Sequence, residues 1–167
     1  GGPTASGHRA PTVIVEAPVN GIDGPNVAFN AWQFRQILAR GVHGILLCQA
    51  ESADAVREFV RACRFPHHKS GIDKLGTGTR GRGSEPTATP VWGIDQQEYF
   101  ARCEPWPLNP QGELLLGVKI ESPPGVANAD EILATPGLGF AELGPGDLGL
   151  SLGYTTLQRR PYPPEME

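Results

Sequence analysis

Apolar positions along this chain fall into two patterns, short unbroken runs of strand length and longer stretches with helical spacing. Four runs stand out: Thr12–Val15 (TVIV), Gly44–Cys48 (GILLC), Leu114–Ile120 (LLLGVKI) and the segment around Phe140–Leu143. An unbroken run of this length predicts a strand buried on both faces, as in a parallel sheet. Between the runs the period changes. Ala31, Phe34, Ile37 and Leu38 predict a helix over Ala28–Arg40, stopped by Gly41. Ser52 is placed to cap a second helix, whose Val56, Phe59, Val60 and Cys63 form an i, i+3, i+4, i+7 stripe. Asp95 with Glu98 predicts a short capped helix through Arg102, and a further helix is expected near Val126–Leu133. Residues 64–94 have no period and read as one long loop, and Trp106–Gly112 reads as a turn-rich connector. The closing Pro-Glu-Met-Glu reads as the first turn of a helix.

Strand and helix in alternation predict an α/β fold with a parallel sheet and crossover helices. No P-loop follows any of the four strands, which weakens the case for a nucleotide-binding doubly wound sheet. A partial (β/α)8 TIM barrel of about four βα units fits better. The 167 residues suit a single domain, 1–167, with the long loop at about 64–94. The 22 Gly and 17 Pro are then assigned to loops, since the strand runs argue against general disorder. A net charge of −4 gives no electrostatic reason to expect nucleic acid or an anionic membrane. No apolar stretch approaches the ~20 residues that span a bilayer. Cys48, Cys63 and Cys103 are odd in number and lack metal-type spacing, so they read as reduced thiols of a cytoplasmic protein.

Candidate chemistry gathers where two of the strands stop. The runs LLLGVKIES and FAELGPGDLGLSLG end in carboxylates, Glu121 and Asp147. The C-terminal ends of strands are where α/β barrels keep their active sites. Two such carboxylates can hold one hard divalent cation, with waters and substrate oxygens in its other positions. On composition alone, Glu121 as a helix-capping acid and Asp147 as a turn former after Pro-Gly remain equally good readings.

The stretches GVHGILLCQAESADAVREFVRACRFP, GTRGRG at Gly78–Gly83, KIES at Lys119–Ser122 and NADEILATPGLGFAELGPGDLGLSLG, with their spacing, resemble the HpcH/HpaI aldolase family. These are the metal-dependent class II pyruvate aldolases related to citrate lyase β-subunits. The resemblance covers most of Pro11–Tyr154 and implies that the chain supplies the third to sixth strands of a (β/α)8 barrel. It further implies a carbon–carbon lyase that cleaves 4-hydroxy-2-oxo acids to pyruvate, or a related 2-oxo acid, plus an aldehyde, through a metal-stabilised enolate. The divalent metal would be Mg2+ or Mn2+, or else Co2+, on Glu121 and Asp147. A homo-oligomer is expected for the full-length protein, with a small 2-oxo acid as substrate and neither nucleic acid nor membrane as partner.

The same resemblance assigns substrate-carboxylate binding to the backbone of Gly144, Pro145, Gly146 and Asp147, although a plain tight turn uses the same residues. The basic loop carrying Arg80 would cover the barrel mouth or touch the aldehyde end of the substrate. Equally, it is a solvated loop. His67, His68 and Lys69 read as a solvated turn, and His43 as structural. The family's catalytic His precedes this segment. Two positions depart from the family pattern: Glu16 stands where an enolate-neutralising Arg is usual, and Lys119 stands where Gln is common. Lys119 shares the inward face with Glu121. An acid and a base gained together predict either a Lys119–Glu16 pair or a Lys119 that replaces the Arg, which makes both candidate catalytic residues. A Schiff-base lysine is the rival chemistry, and it requires a lowered pKa. Two further readings stay open: a citrate-lyase-like enzyme whose CoA phosphates use the Lys69–Arg82 loop, and an inactive fragment with two unpaired parallel edges.

Overall fold

The computed structural model describes residues 11–166. Four principal strands, β1 (Ile14–Asn20), β2 (Gly44–Cys48), β4 (Leu114–Ile120) and β5 (Phe140–Leu143), lie parallel in the order β1-β2-β4-β5. A two-residue strand, β3 (Pro105–Trp106), shares the β4 edge with β5, pairing with Leu114 and Leu115 at the start of β4. β2 and β4 occupy the middle of the sheet and are buried on both faces along most of their length, which is what their unbroken apolar sequences require.

Helices α1 (Gly24–Ala39) and α2 (Ala53–Cys63) form the layer over β1 and β2. α1 begins four residues before the predicted start at Ala28, because Asp23 accepts from the Asn26 N–H at 2.7 Å and Pro25 suits the first turn. It ends where Gly41 takes φ +78; a Cβ there would lie 2.6 Å from Val91 Cβ. α2 starts on Ser52, which accepts from Ala55 N at 3.1 Å, and buries the predicted stripe completely. Phe34 and Phe59 meet at 4.9 Å between the two helices. Each fully buried side chain of this size contributes roughly 1.5–3 kcal/mol.

The expected loop at 64–94 is not wholly irregular. It contains α3 (Ile72–Leu75) and α4 (Glu85–Trp92), and Trp92 is fully buried with its indole N–H donating to Gly41 O at 3.1 Å. α5 (Gln96–Arg102) follows the predicted Asp95 cap, and β3 occupies the start of the expected connector. The expected helix at 126–133 is two short ones, α6 (Pro123–Ala127) and α7 (Ala129–Leu133), broken at Asn128. α8 (Pro145–Ser151) and a 3-10 turn at Pro164–Met166 complete the described residues. His43 is structural as expected: it is buried, accepts from Val13 N at 3.2 Å and stacks on Trp92. His68 is not solvated. It stacks near His67 and Phe65, and burial with neighbouring His67 and Arg64 lowers its pKa to about 4. Glu104 Oε2 at 3.1 Å would favour the charged imidazole, but that carboxylate is already engaged by the buried Arg64, whose Nε donates to Glu104 Oε1 at 2.7 Å.

Candidate metal centre

Glu121 follows the last residue of β4 and is 4% exposed. Its Oε1 accepts from the Gln49 N–H at 2.9 Å, and Gln49 adopts φ +48 just beyond the end of β2. That left-handed conformation is unusual for a non-glycine residue, and here it accompanies an amide aimed at the neighbouring strand's acid. On the other side stands Gly144, the residue after β5. A Cβ at that position would lie 2.4 Å from Glu121 Oε2, so only glycine lets the chain pass this close. The next turn begins α8 and carries Asp147 within hydrogen-bonding reach of Glu121.

The electrostatics follow from this packing. Burial raises the Glu121 pKa, and the Asp147 carboxylate raises it further, against the Gln49 amide and the Lys119 ammonium, which lower it. Two carboxylates driven together at strand ends are unfavourable until a cation or a proton joins them. Among the described residues there is no group of three His, Cys, Asp or Glu able to enclose a metal. The pair therefore suits a hard ion that keeps open positions for water and substrate oxygens. The residues present fit such a group.

Beneath the pair runs a ladder of charge. Lys119 Nζ donates to the Glu16 carboxylate from β1 and lies 4.0 Å from Glu142 Oε1 on β5. The hydrogen bond to Glu16 raises the Lys119 pKa, which keeps the side chain an ammonium and removes the premise of a Schiff-base lysine. Cys48, half-buried at the end of β2, has its pKa raised by burial and then by Glu16 and Glu121. It stays a thiol.

Other expected site residues fall differently. The Gly144 N–H is committed to Ile120 O at 2.9 Å and Pro145 has none, so only the Gly146 and Asp147 amides remain of the expected carboxylate cradle. Arg80 is not brought to the pair. It is fully buried, and its guanidinium donates to Cys103 Sγ, Ser84 Oγ and Tyr99 OH. Cys103 lies just before β3, at the start of β4, and the seven-residue β4 puts about 23 Å between that end and Glu121. Arg80 and its loop therefore lie toward the other end of the sheet from the carboxylates. Sequence reasoning passed over Gln49 and Glu51. Glu51 accepts from Ser122 Oγ at 2.6 Å, and its carbonyl accepts from Asn128, which ties the loop after β2 to the loop after β4. Their signal was present: an apolar run, GILLC, that also stops in polar residues.

Adjacent parallel strands, covering helices and paired acids at the strand ends define an α/β sheet that is part of a TIM-barrel-like architecture. The family model described as HpcH/HpaI aldolase/citrate lyase matches residues 22–161, and the chain belongs to that family. Curated relatives include a hydroxypyruvate/pyruvate aldolase from Delftia acidovorans, 35% identical over 72% of this chain and 38% of the relative. A protein of the same description from Roseobacter denitrificans is 31% identical over 74% and 41%. A 2-keto-3-deoxy-L-rhamnonate aldolase from Escherichia coli O1:K1 is 32% identical over 72% and 39%. The chain thus spans about two fifths of these relatives' length. Among solved structures, a family protein from Burkholderia cenocepacia J2315 superposes with TM-score 0.64 at 24% identity, over 89% of this chain and 49% of that one. An aldolase from Desulfitobacterium hafniense DCB-2 gives 0.60, also at 24%, over 90% and 48%. These two show the fold.

Proposed function

We propose that this chain is part of a class II, divalent-metal-dependent aldehyde-lyase that cleaves 4-hydroxy-2-oxo acids to pyruvate, or a related 2-oxo acid, and an aldehyde. The observation that carries the reading is the convergence of Glu121 and Asp147 at neighbouring strand ends, with Gly144 clearing the space over Glu121. The curated relatives' activities on 2-oxo acids support it.

Glu121 and Asp147 would hold Mg2+, Mn2+ or Co2+, which supplies Lewis-acid neutralisation of charge growing on the 2-oxo oxygen. The other roles belong to the chain. The Gln49 amide fixes the Glu121 carboxylate, leaving its second oxygen toward Gly144. The Gly146 and Asp147 N–H groups, in the first turn of α8, would receive the substrate carboxylate. Lys119 remains charged at neutral pH and would provide a fixed cation on the inward face in place of the Arg that the family resemblance expects at position 16; Glu16 holds it in place.

The test is pyruvate release from a panel of 4-hydroxy-2-oxo acids by the full-length protein, with and without each metal. Glu121→Gln and Asp147→Asn are each expected to reduce kcat/KM at least a hundredfold, since each removes an anionic ligand. Cleavage that survives both changes would overturn the assignment.

A further inference from the structure

Away from the carboxylates, a cavity of about 500 Å3 opens between the end of α2, the 80–82 loop and α5. Its walls are Phe65, Pro66, His67, Arg80, Gly81, Arg82 and Phe100. None of them comes from β1 or β5, the edge strands, so the pocket is formed wholly inside the folded unit. Its chemistry is one-sided: two arginines and a histidine, with no acid in the walls.

Arg80 is the unusual member. Its guanidinium sits 4.3 Å over the Phe65 ring, and the groups that accept from it are two hydroxyls and a sulfur: Tyr99 OH at 2.7 Å, Ser84 Oγ at 2.8 Å and Cys103 Sγ at 2.9 Å. Its Nε has no hydrogen-bond partner, and among the described residues no carboxylate lies within ion-pair distance of it. A buried cation without a carboxylate partner is costly to the fold, and an anion nearby is the usual compensation. Arg82 supplies the reachable contact. It is 76% exposed at the rim, with Cζ 5.3 Å over the Phe100 ring and Nε 3.3 Å from Glu85 Oε1. Phe65 and Phe100 meet edge to face at 4.9 Å, and His67 stands perpendicular to Phe100 at 5.6 Å. These rings offer flat apolar walls suited to an inserted ring.

We propose that this cavity binds a planar aromatic anion, a ring bearing a carboxylate or phosphate. The ring lies against Phe100 and His67, and the anionic head meets Arg82 within the field of Arg80. The volume falls in the roughly 300–1,000 Å3 range of small-molecule sites. The pocket lies toward the opposite end of the sheet from Glu121, so its occupant is a second ligand and not the substrate of the metal centre.

The test uses the full-length protein in EDTA, which silences the metal centre. Benzoate, phenyl phosphate, neutral benzamide and inorganic phosphate are titrated by calorimetry, and binding is mapped by NMR on the Phe and His ring signals. The two aromatic anions are expected to bind with Kd near or below ~1 mM, with benzamide and inorganic phosphate at least ~10-fold weaker. The tighter of the two anions identifies the head group. Arg82→Gln is expected to weaken both at least ~10-fold, with a thermal melt run beside it to confirm folding, since buried Glu85 loses one partner but keeps the Gly83 N–H at 2.6 Å and the Gln96 amide at 3.3 Å. Phe100→Leu tests the ring contact in the same assay. Equal binding of benzamide, indifference to Arg82→Gln, or no saturation by ~10 mM of either aromatic anion would overturn the proposal.

Discussion

At the scale of single residues, the candidate centre depends on what is missing from Gly144 as much as on what Glu121 carries. A methyl group there would sit 2.4 Å from Glu121 Oε2 and 2.6 Å from Glu121 Cβ, far inside contact distance. Glu121 cannot yield by turning away without releasing the Gln49 amide that fixes its other oxygen. Gly144→Ala is therefore expected to cost about 1–3 kcal/mol of stability, the usual penalty for overpacking. It should also weaken divalent-metal binding at least tenfold, read by calorimetric titration beside a thermal melt. A variant that melts and binds metal like the parent would show that the backbone shifts freely here and that glycine is incidental. Much of this was legible in the chain. Glu121 and Asp147 could be picked out because each ends an apolar run, and Lys119 and Glu16 because a gained base and a gained acid invite pairing. Gln49 was harder to read: the end of the GILLC run marked its position, but its contribution is a backbone amide, which leaves no mark in side-chain chemistry. Arg80 misled for a related reason: Thr-Arg-Gly-Arg-Gly looks solvated, and only the fold shows the Arg80 guanidinium turned inward onto Tyr99 and Cys103.

At the scale of elements, hydrophobic period located the units it could and failed where proline and glycine interrupt it. β2, β4, α1 and α2 were readable because each buries a continuous face. α4 was not, since Pro86 and Pro90 sit inside its eight residues and leave too little sequence for a period. It forms regardless. Pro86 falls in the first turn, where a missing N–H costs nothing, and Ala88 and Trp92 bury one side. The Trp92 indole N–H reaches Gly41 O at the end of α1 and stacks its ring edge to face on Tyr99 at 5.0 Å. That arrangement makes the segment part of the core. Hydrogen exchange should therefore find the Trp92 indole protected to nearly the same degree as the β4 amides. Exchange at the rate of a free indole would mean that the 64–94 segment is the mobile loop its composition suggests.

At the scale of the molecule, the sheet has two open sides. Among the described residues β1 pairs only with β2, and β5 only with β4, so each presents unpaired N–H and C=O groups along a parallel edge. Val13 and Ile14 at the β1 edge and Leu143 on β5 are exposed, as are Phe29 and Trp32 on the outer face of α1. A closed barrel removes such edges, and an open arc leaves them as templates for another chain. The 167 residues, which match about two fifths of their curated relatives, are thus expected to associate or to melt broadly when purified alone. Size-exclusion chromatography with light scattering, beside calorimetry, provides the check. A monomer with one sharp transition would show that the Phe34–Phe59 core between α1 and α2, and the sheet beneath it, suffice without closure. The same result would bear on the metal centre, because Glu121 and Asp147 sit at the β4–β5 side of the arc. If β5 holds its register without a further neighbour, the isolated chain should titrate one divalent ion. If β5 frays, that titration should vanish while the α1–α2 core still melts cooperatively, separating the stability of the fold from the integrity of the site.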